Sequence, residues 1–111
     1  MEINITMARR VSIVELIGEL DAKTAPQVQE RMSPLIEPGG RILVDMGKVS
    51  YMSSSGLRTF LLLNRKVATS DARLALIGLA ENIIDIMEMT GFLAYFTTYR
   101  TREAGLEALS D

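Results

Sequence analysis

The chain has 111 residues, a net charge of −2, 48% hydrophobic residues, and neither cysteine nor histidine. That size and apolar content fit one folded domain spanning residues 1–111, and so small a charge gives no general attraction to nucleic acid or to an anionic membrane. Without Cys or His there is no disulfide, thiol nucleophile, Cys/His metal site or imidazole acid–base chemistry, which removes most common enzyme classes.

The first residues, Met1-Glu2-Ile3-Asn4-Ile5, lack a basic region followed by a long apolar run, so no secretory signal is expected. Ile3 and Ile5 alternate with polar neighbours, and Val11, Ile13 and Leu16 follow after Ala8-Arg9-Arg10. This pattern predicts two strands joined by a tight hairpin, the second ending at Gly18. Thr24 is a suitable N-cap, with Pro26 in the first turn of a helix. Val28, Met32, Leu35 and Ile36 carry its inner face, and Pro38-Gly39-Gly40 stops it.

Ile42-Leu43-Val44 is a short apolar run suited to a strand buried on both faces. Gly47-Lys48-Val49-Ser50-Tyr51-Met52 reads as its connection to a second helix. That helix starts at Ser53 or Ser54 and runs to Val67 or Ala68, with Leu57, Phe60, Leu61 and Leu63 on a broad apolar face. No window approaches the roughly 18 apolar residues of a membrane span. The longest apolar cluster, Phe60-Leu61-Leu62-Leu63, is closed by Asn64-Arg65-Lys66. A soluble cytoplasmic protein is therefore expected, with no membrane partner.

Leu74-Ala75-Leu76-Ile77 reads as another buried strand, closed by Gly78. Asn82 to Met89 reads as a third helix with Ile83, Ile84, Ile86 and Met87 inward, ended by Thr90 and a left-handed Gly91. Tyr95 to Tyr99 reads as a last strand, and Thr101 caps a final helix with Leu106 and Leu109 inward. The order β-β-α-β-α-β-α-β-α predicts an α/β domain with a mixed, mostly parallel sheet of about five strands and about four helices.

Three segments resemble a known family. They are Gly18-Glu19-Leu20-Asp21 with Thr24; Val44-Asp45-Met46 leading through Val49-Ser50-Tyr51-Met52 to Ser53-Ser54-Ser55-Gly56-Leu57; and Met87-Glu88-Met89-Thr90-Gly91-Phe92. In order and spacing the chain resembles the STAS domain over nearly its whole length, in particular the bacterial anti-sigma factor antagonists. The resemblance implies a binding module rather than an enzyme. It also implies a partner that is both an ATP-dependent serine kinase and an anti-sigma factor, and a metal-dependent serine phosphatase that reverses the modification. No cofactor, metal or nucleic acid is implied, and a monomer is expected. The alternative is a STAS scaffold or adaptor subunit of a signalling or transport complex that is not phosphorylated.

The family pattern before the second helix is Asp-Ser-Ser-Gly or a close variant, and its phosphorylated serine directly follows the acidic position. That serine corresponds to Ser54. Ser53 stands at the acidic position, which makes it a second, lesser candidate acceptor. A phosphate adds about −1.5 to −2 charge, and a helix start accommodates it through free N–H groups and the helix dipole. Ser53 suits the cap, and Ser55 an inward or locally capping role.

The docking surface is expected to comprise Asp21, Ser53, Ser54, Gly56, Leu57 and Arg58. Several of these have plainer readings. Asp21 is also a natural turn carboxylate. Asp45 either orients the serine loop or is simply structural. Arg58 points outward, to a partner or to solvent. The methionines are soft core filler, although Met52 and Met87 are candidates to flank the serines. Arg9-Arg10 and Arg65-Lys66 are too short to be nucleic-acid patches.

Overall fold

The computed structural model describes residues 1–110, and among them the chain forms five strands and four α-helices in the order expected from sequence. Strands β1 (Glu2–Ala8) and β2 (Val11–Leu20) form the antiparallel hairpin. Its two turn residues, Arg9 and Arg10, have φ of 51° and 63°, the left-handed pair that matches the twist of a two-residue hairpin. Then follow α1 (Ala25–Met32), β3 (Arg41–Met52), α2 (Ser54–Thr69), β4 (Arg73–Ile77), α3 (Glu81–Met89), β5 (Thr98–Tyr99) and α4 (Arg102–Leu109). The sheet order is β1-β2-β3-β4-β5, and every pair after the hairpin is parallel.

The sheet is covered on both faces, as the continuous Ile42-Leu43-Val44 run requires. Ile42 and Val44 join the larger core, with Val28 and Met32 of α1, Phe60 and Leu63 of α2, and Ile83 and Met87 of α3. Leu43, between them, points to the other face. There Leu109 of α4 packs with Val11, Ala75 and Ile77. Burying each large apolar side chain contributes about 1.5–3 kcal/mol, so these two layers drive the fold.

Several boundaries differ from the sequence reading, each for a physical reason. The first helix ends at Met32 and gives way to a 3-10 turn over Ser33–Leu35, because Pro34 has no N–H for an α-helical bond. β2 does not stop at Gly18 but continues to Leu20. Gly18, at φ 123°, absorbs an irregularity where the pairing with β3 shifts register. β3 is much longer than its apolar run. Residues 47–52, expected as a connection, extend the strand alongside the end of β2. The stretch from Tyr95 to Tyr99 is mostly not strand: Leu93–Tyr95 is a 3-10 turn and only Thr98 and Tyr99 pair with β4. In α3, Ile83 and Met87 are buried while Ile84 and Ile86 are half-buried. No helix among the described residues is long and apolar enough to cross a membrane.

Candidate functional site

The long β3 ends at Met52, and one residue later α2 begins, at the carboxyl end of the parallel strands where α/β folds place their sites. Ser53 makes the join. Its backbone is extended, its N–H donates to the Leu20 carbonyl at 2.8 Å, and its carbonyl accepts from Leu57 N–H at 3.0 Å. Its Oγ accepts from Gly56 N–H at 3.2 Å, so Ser53 is the side-chain cap of α2. Ser54 and Ser55 follow in the first turn, and both are exposed. The expectation that Ser55 faces inward or caps locally is corrected: Ser53 already fills the capping role, and the helix turns Ser55 outward.

Gly56 and Leu57 lie beneath this surface. Leu57 is 3% exposed, in the main core. The expectation that Leu57 belongs to the docking surface is corrected, since its side chain is committed to packing. Gly56 is buried against Leu20, and it shapes the surface only by letting α2 sit close to the end of β2. Arg58 is exposed, as its spacing predicted. Met52 and Met87 are both core residues and do not flank the serines.

Asp21 stands immediately after Leu20, so the Ser53–Leu20 bond brings the acidic turn and the serines into one corner. Asp21 Oδ1 accepts from the N–H groups of Lys23 at 2.9 Å and Thr24 at 3.2 Å. Those two donors, Lys23 first, hold its carboxyl below the ordinary value. This is the turn carboxylate of the plainer reading. Thr24 occupies the helix N-cap position, but its hydroxyl caps no helical N–H. It donates to Glu19 O at 2.8 Å and accepts from Asp21 N–H at 2.9 Å, tying the turn to the strand.

Asp45 does not orient the serine loop. It lies within β3 rather than at its end. Its Oδ1 accepts from Gly47 N–H at 2.9 Å, and its Oδ2 accepts from Arg102 at 2.8 Å, tying β3 to α4. Among the described residues no group of three His, Cys, Asp or Glu side chains is placed to hold a metal ion.

Two exposed apolar residues beside the serines were not singled out from sequence. Tyr51, at the end of β3, is 47% exposed, as is Leu62 on α2. The signal for Leu62 is its position four residues after the outward Arg58, which puts both on one helix face. Tyr51 gave no such signal, because its segment did not read as strand.

The fold and this corner define a small mixed-sheet α/β domain that offers exposed hydroxyls at a capped helix start, next to an ordered acidic turn. The STAS domain family model matches residues 2–105, and the chain belongs to that family. It is similar to the anti-sigma-B factor antagonist of Bacillus subtilis, 28% identical over 109 residues that cover 96% of this chain and 100% of that one. It is 35% identical to the anti-sigma-B factor antagonist of Staphylococcus aureus over 79 residues, 70% of this chain and 73% of that one. Among solved structures it is similar in fold to the anti-sigma factor antagonist SpoIIAA in its unphosphorylated form, with a TM-score of 0.78 and 22% identity over 96% of this chain and 95% of that one. The phosphorylated form of Bacillus SpoIIAA also matches, with a TM-score of 0.72 over 96% of this chain and 98% of that one, again at 22% identity.

Proposed function

We propose that the chain is a cytoplasmic, non-enzymatic anti-sigma factor antagonist whose binding is switched by phosphorylation of Ser54. Unmodified, it binds a serine kinase that is also an anti-sigma factor. The kinase transfers the γ-phosphoryl group of ATP to Ser54 Oγ, the hydroxyl proton leaves, and the complex comes apart. A metal-dependent serine phosphatase hydrolyses the phosphate and restores binding. The similarity to anti-sigma-B factor antagonists, and the shared fold of Bacillus SpoIIAA in its phosphorylated form, support this reading.

The single observation that carries it is the division of roles between neighbouring serines. Ser53 is occupied as the helix cap, whereas Ser54 is exposed in the first turn with no structural bond of its own. A phosphate on Ser54 meets a helix start that tolerates negative charge, so the domain stays folded. A partner face that fits a neutral hydroxyl then meets a hydrated dianion. Burying that charge without a matching cation is costly. Asp21, Ser53, Ser54 and Arg58 form the contacting surface in this reading, while Gly56 and Leu57 hold it from below. The protein works as a monomer.

The test is incubation with the kinase and Mg-ATP, followed by mass-spectrometric mapping. One phosphate, on Ser54, is expected, with none on Ser54→Ala. Undiminished modification of Ser54→Ala would refute the site. Ser53, in place of the family's acidic residue, favours a second reading as an unphosphorylated scaffold or adaptor. A kinase that binds the chain without modifying any serine would support that reading instead.

A further inference from the structure

Arg58 lies one helical turn after Ser54. In an α-helix, residues four apart are neighbours on one face, with Cβ atoms about 5–6 Å apart. Helical side chains also lean toward the N-terminus, which puts the turn that contains Ser54 within reach of Arg58. Both residues are exposed. α2 holds no carboxylate: its charged residues are Arg58, Arg65 and Lys66. Arg58 takes part in none of the ion pairs of the described residues.

Its surroundings leave it free for an anion. Arg58 borders a shallow hollow of about 280 Å³ between α1 and α2, lined by Ala25, Pro26 and Gln29 on one side and by Ser55, Arg58 and Leu62 on the other. Arg58 is the one charged residue lining it among the described residues. α1 carries Glu30 and Arg31, but neither lines the hollow. The charged residues of the β2–α1 connection are Asp21 and Lys23, and Asp21 Oδ1 is turned onto its own backbone.

Resting on the reading that Ser54 is the phosphoacceptor, we infer that Arg58 is a positioning residue that pairs within the same chain with the phosphate on Ser54. A guanidinium presents paired N–H donors that match phosphate oxygens. Phosphorylation then does two things at once. It adds a dianion to the docking surface, and it withdraws the arginine that the unmodified chain offers to a partner.

The test needs no kinase. Phosphoserine is installed at position 54 during synthesis, and the phosphate is followed by phosphorus NMR as pH is varied. Pairing with Arg58 favours the dianion, so the second phosphate pKa in the otherwise wild-type chain should lie below that of Arg58→Gln, by on the order of a few tenths of a pH unit. Arg58→Lys should recover part of the shift, because an ammonium keeps the charge but not the paired geometry. Arg65→Gln, on the same helix but beyond reach, should leave the curve unchanged. Coincident curves for wild type and Arg58→Gln would overturn the pairing. An equal displacement by Arg65→Gln would overturn it too, by reducing the effect to overall charge. Neither result touches the phosphoacceptor reading, which stands or falls on the mapping of Ser54.

Discussion

Leu20 and Gly56 meet where β2 ends and α2 begins: a Cβ added to Gly56 would stand 2.7 Å from Leu20 Cγ and 2.8 Å from the Leu20 carbonyl oxygen. The same carbonyl accepts the Ser53 N–H at 2.8 Å, so this contact sets how close the serines sit to the Asp21 turn.

Gly56→Ala therefore sets two effects against each other. Alanine favours a helix over glycine by about 1 kcal/mol, but overpacking against a fully buried side chain and a bonded backbone oxygen costs about 1–3 kcal/mol. The clash should win, with a net destabilisation of about 1 kcal/mol. The urea midpoint measures it. A midpoint at or above the wild-type value would show that α2 has room to move away from Leu20.

Ser53 and Ser54 should separate by stability. Ser53→Ala removes the cap on Gly56 N–H and should cost about 1 kcal/mol, while Ser53→Asp keeps a capping oxygen and should cost much less. Ser54→Ala changes an exposed hydroxyl with no structural bond and should stay within about 0.5 kcal/mol of wild type. Thermal unfolding of the three variants gives the order directly. A Ser54→Ala loss equal to that of Ser53→Ala would move the cap to the wrong serine.

Asp21 gives a pH dependence of known sign. The Lys23 and Thr24 N–H groups lower its carboxyl pKa in the folded state below 3.8. The charged form is thus favoured by folding. Its contribution is present above pH 3.8 and is lost as pH falls through the lower folded-state value. Asp21→Asn keeps an oxygen for the turn but does not titrate. Its stability should fall less than wild type between neutral pH and pH 3, as urea midpoints at the two pH values would record. Equal falls would mean that the turn bonds do not favour the carboxylate.

The sequence revealed the element order because its strand and helix periods were separated by clear stops, such as Pro38-Gly39-Gly40 and Thr90-Gly91. It did not reveal the length of β3. Met46, Val49 and Met52 are buried at intervals of three, not two, because β3 slips register against β2 after Glu15 and again after Gly18. A strand with such irregularities loses the alternation by which strands are read. The aromatic and threonine content of Tyr95 to Tyr99 suggested a full strand, but tertiary packing turns Phe96 inward and leaves two residues to pair. At the site, the capping role of Ser53 was legible from the preference of serine for helix starts. The burial of Leu57 was legible from its place on the apolar face shared with Phe60 and Leu63, whereas the outward turn of Ser55 depended on how α2 is rotated against the sheet, which the serine run does not encode.

The most direct measurement is calorimetric titration of the serine kinase with the unmodified chain and with the chain carrying phosphoserine at position 54, alongside amide NMR spectra of both. A charge switch at Ser54 predicts at least about tenfold weaker binding of the phosphorylated chain, equivalent to about 1.4 kcal/mol, with amide shifts confined to the start of α2 and the Asp21 turn. Equal affinities, or weaker binding accompanied by loss of the native spectrum, would contradict it.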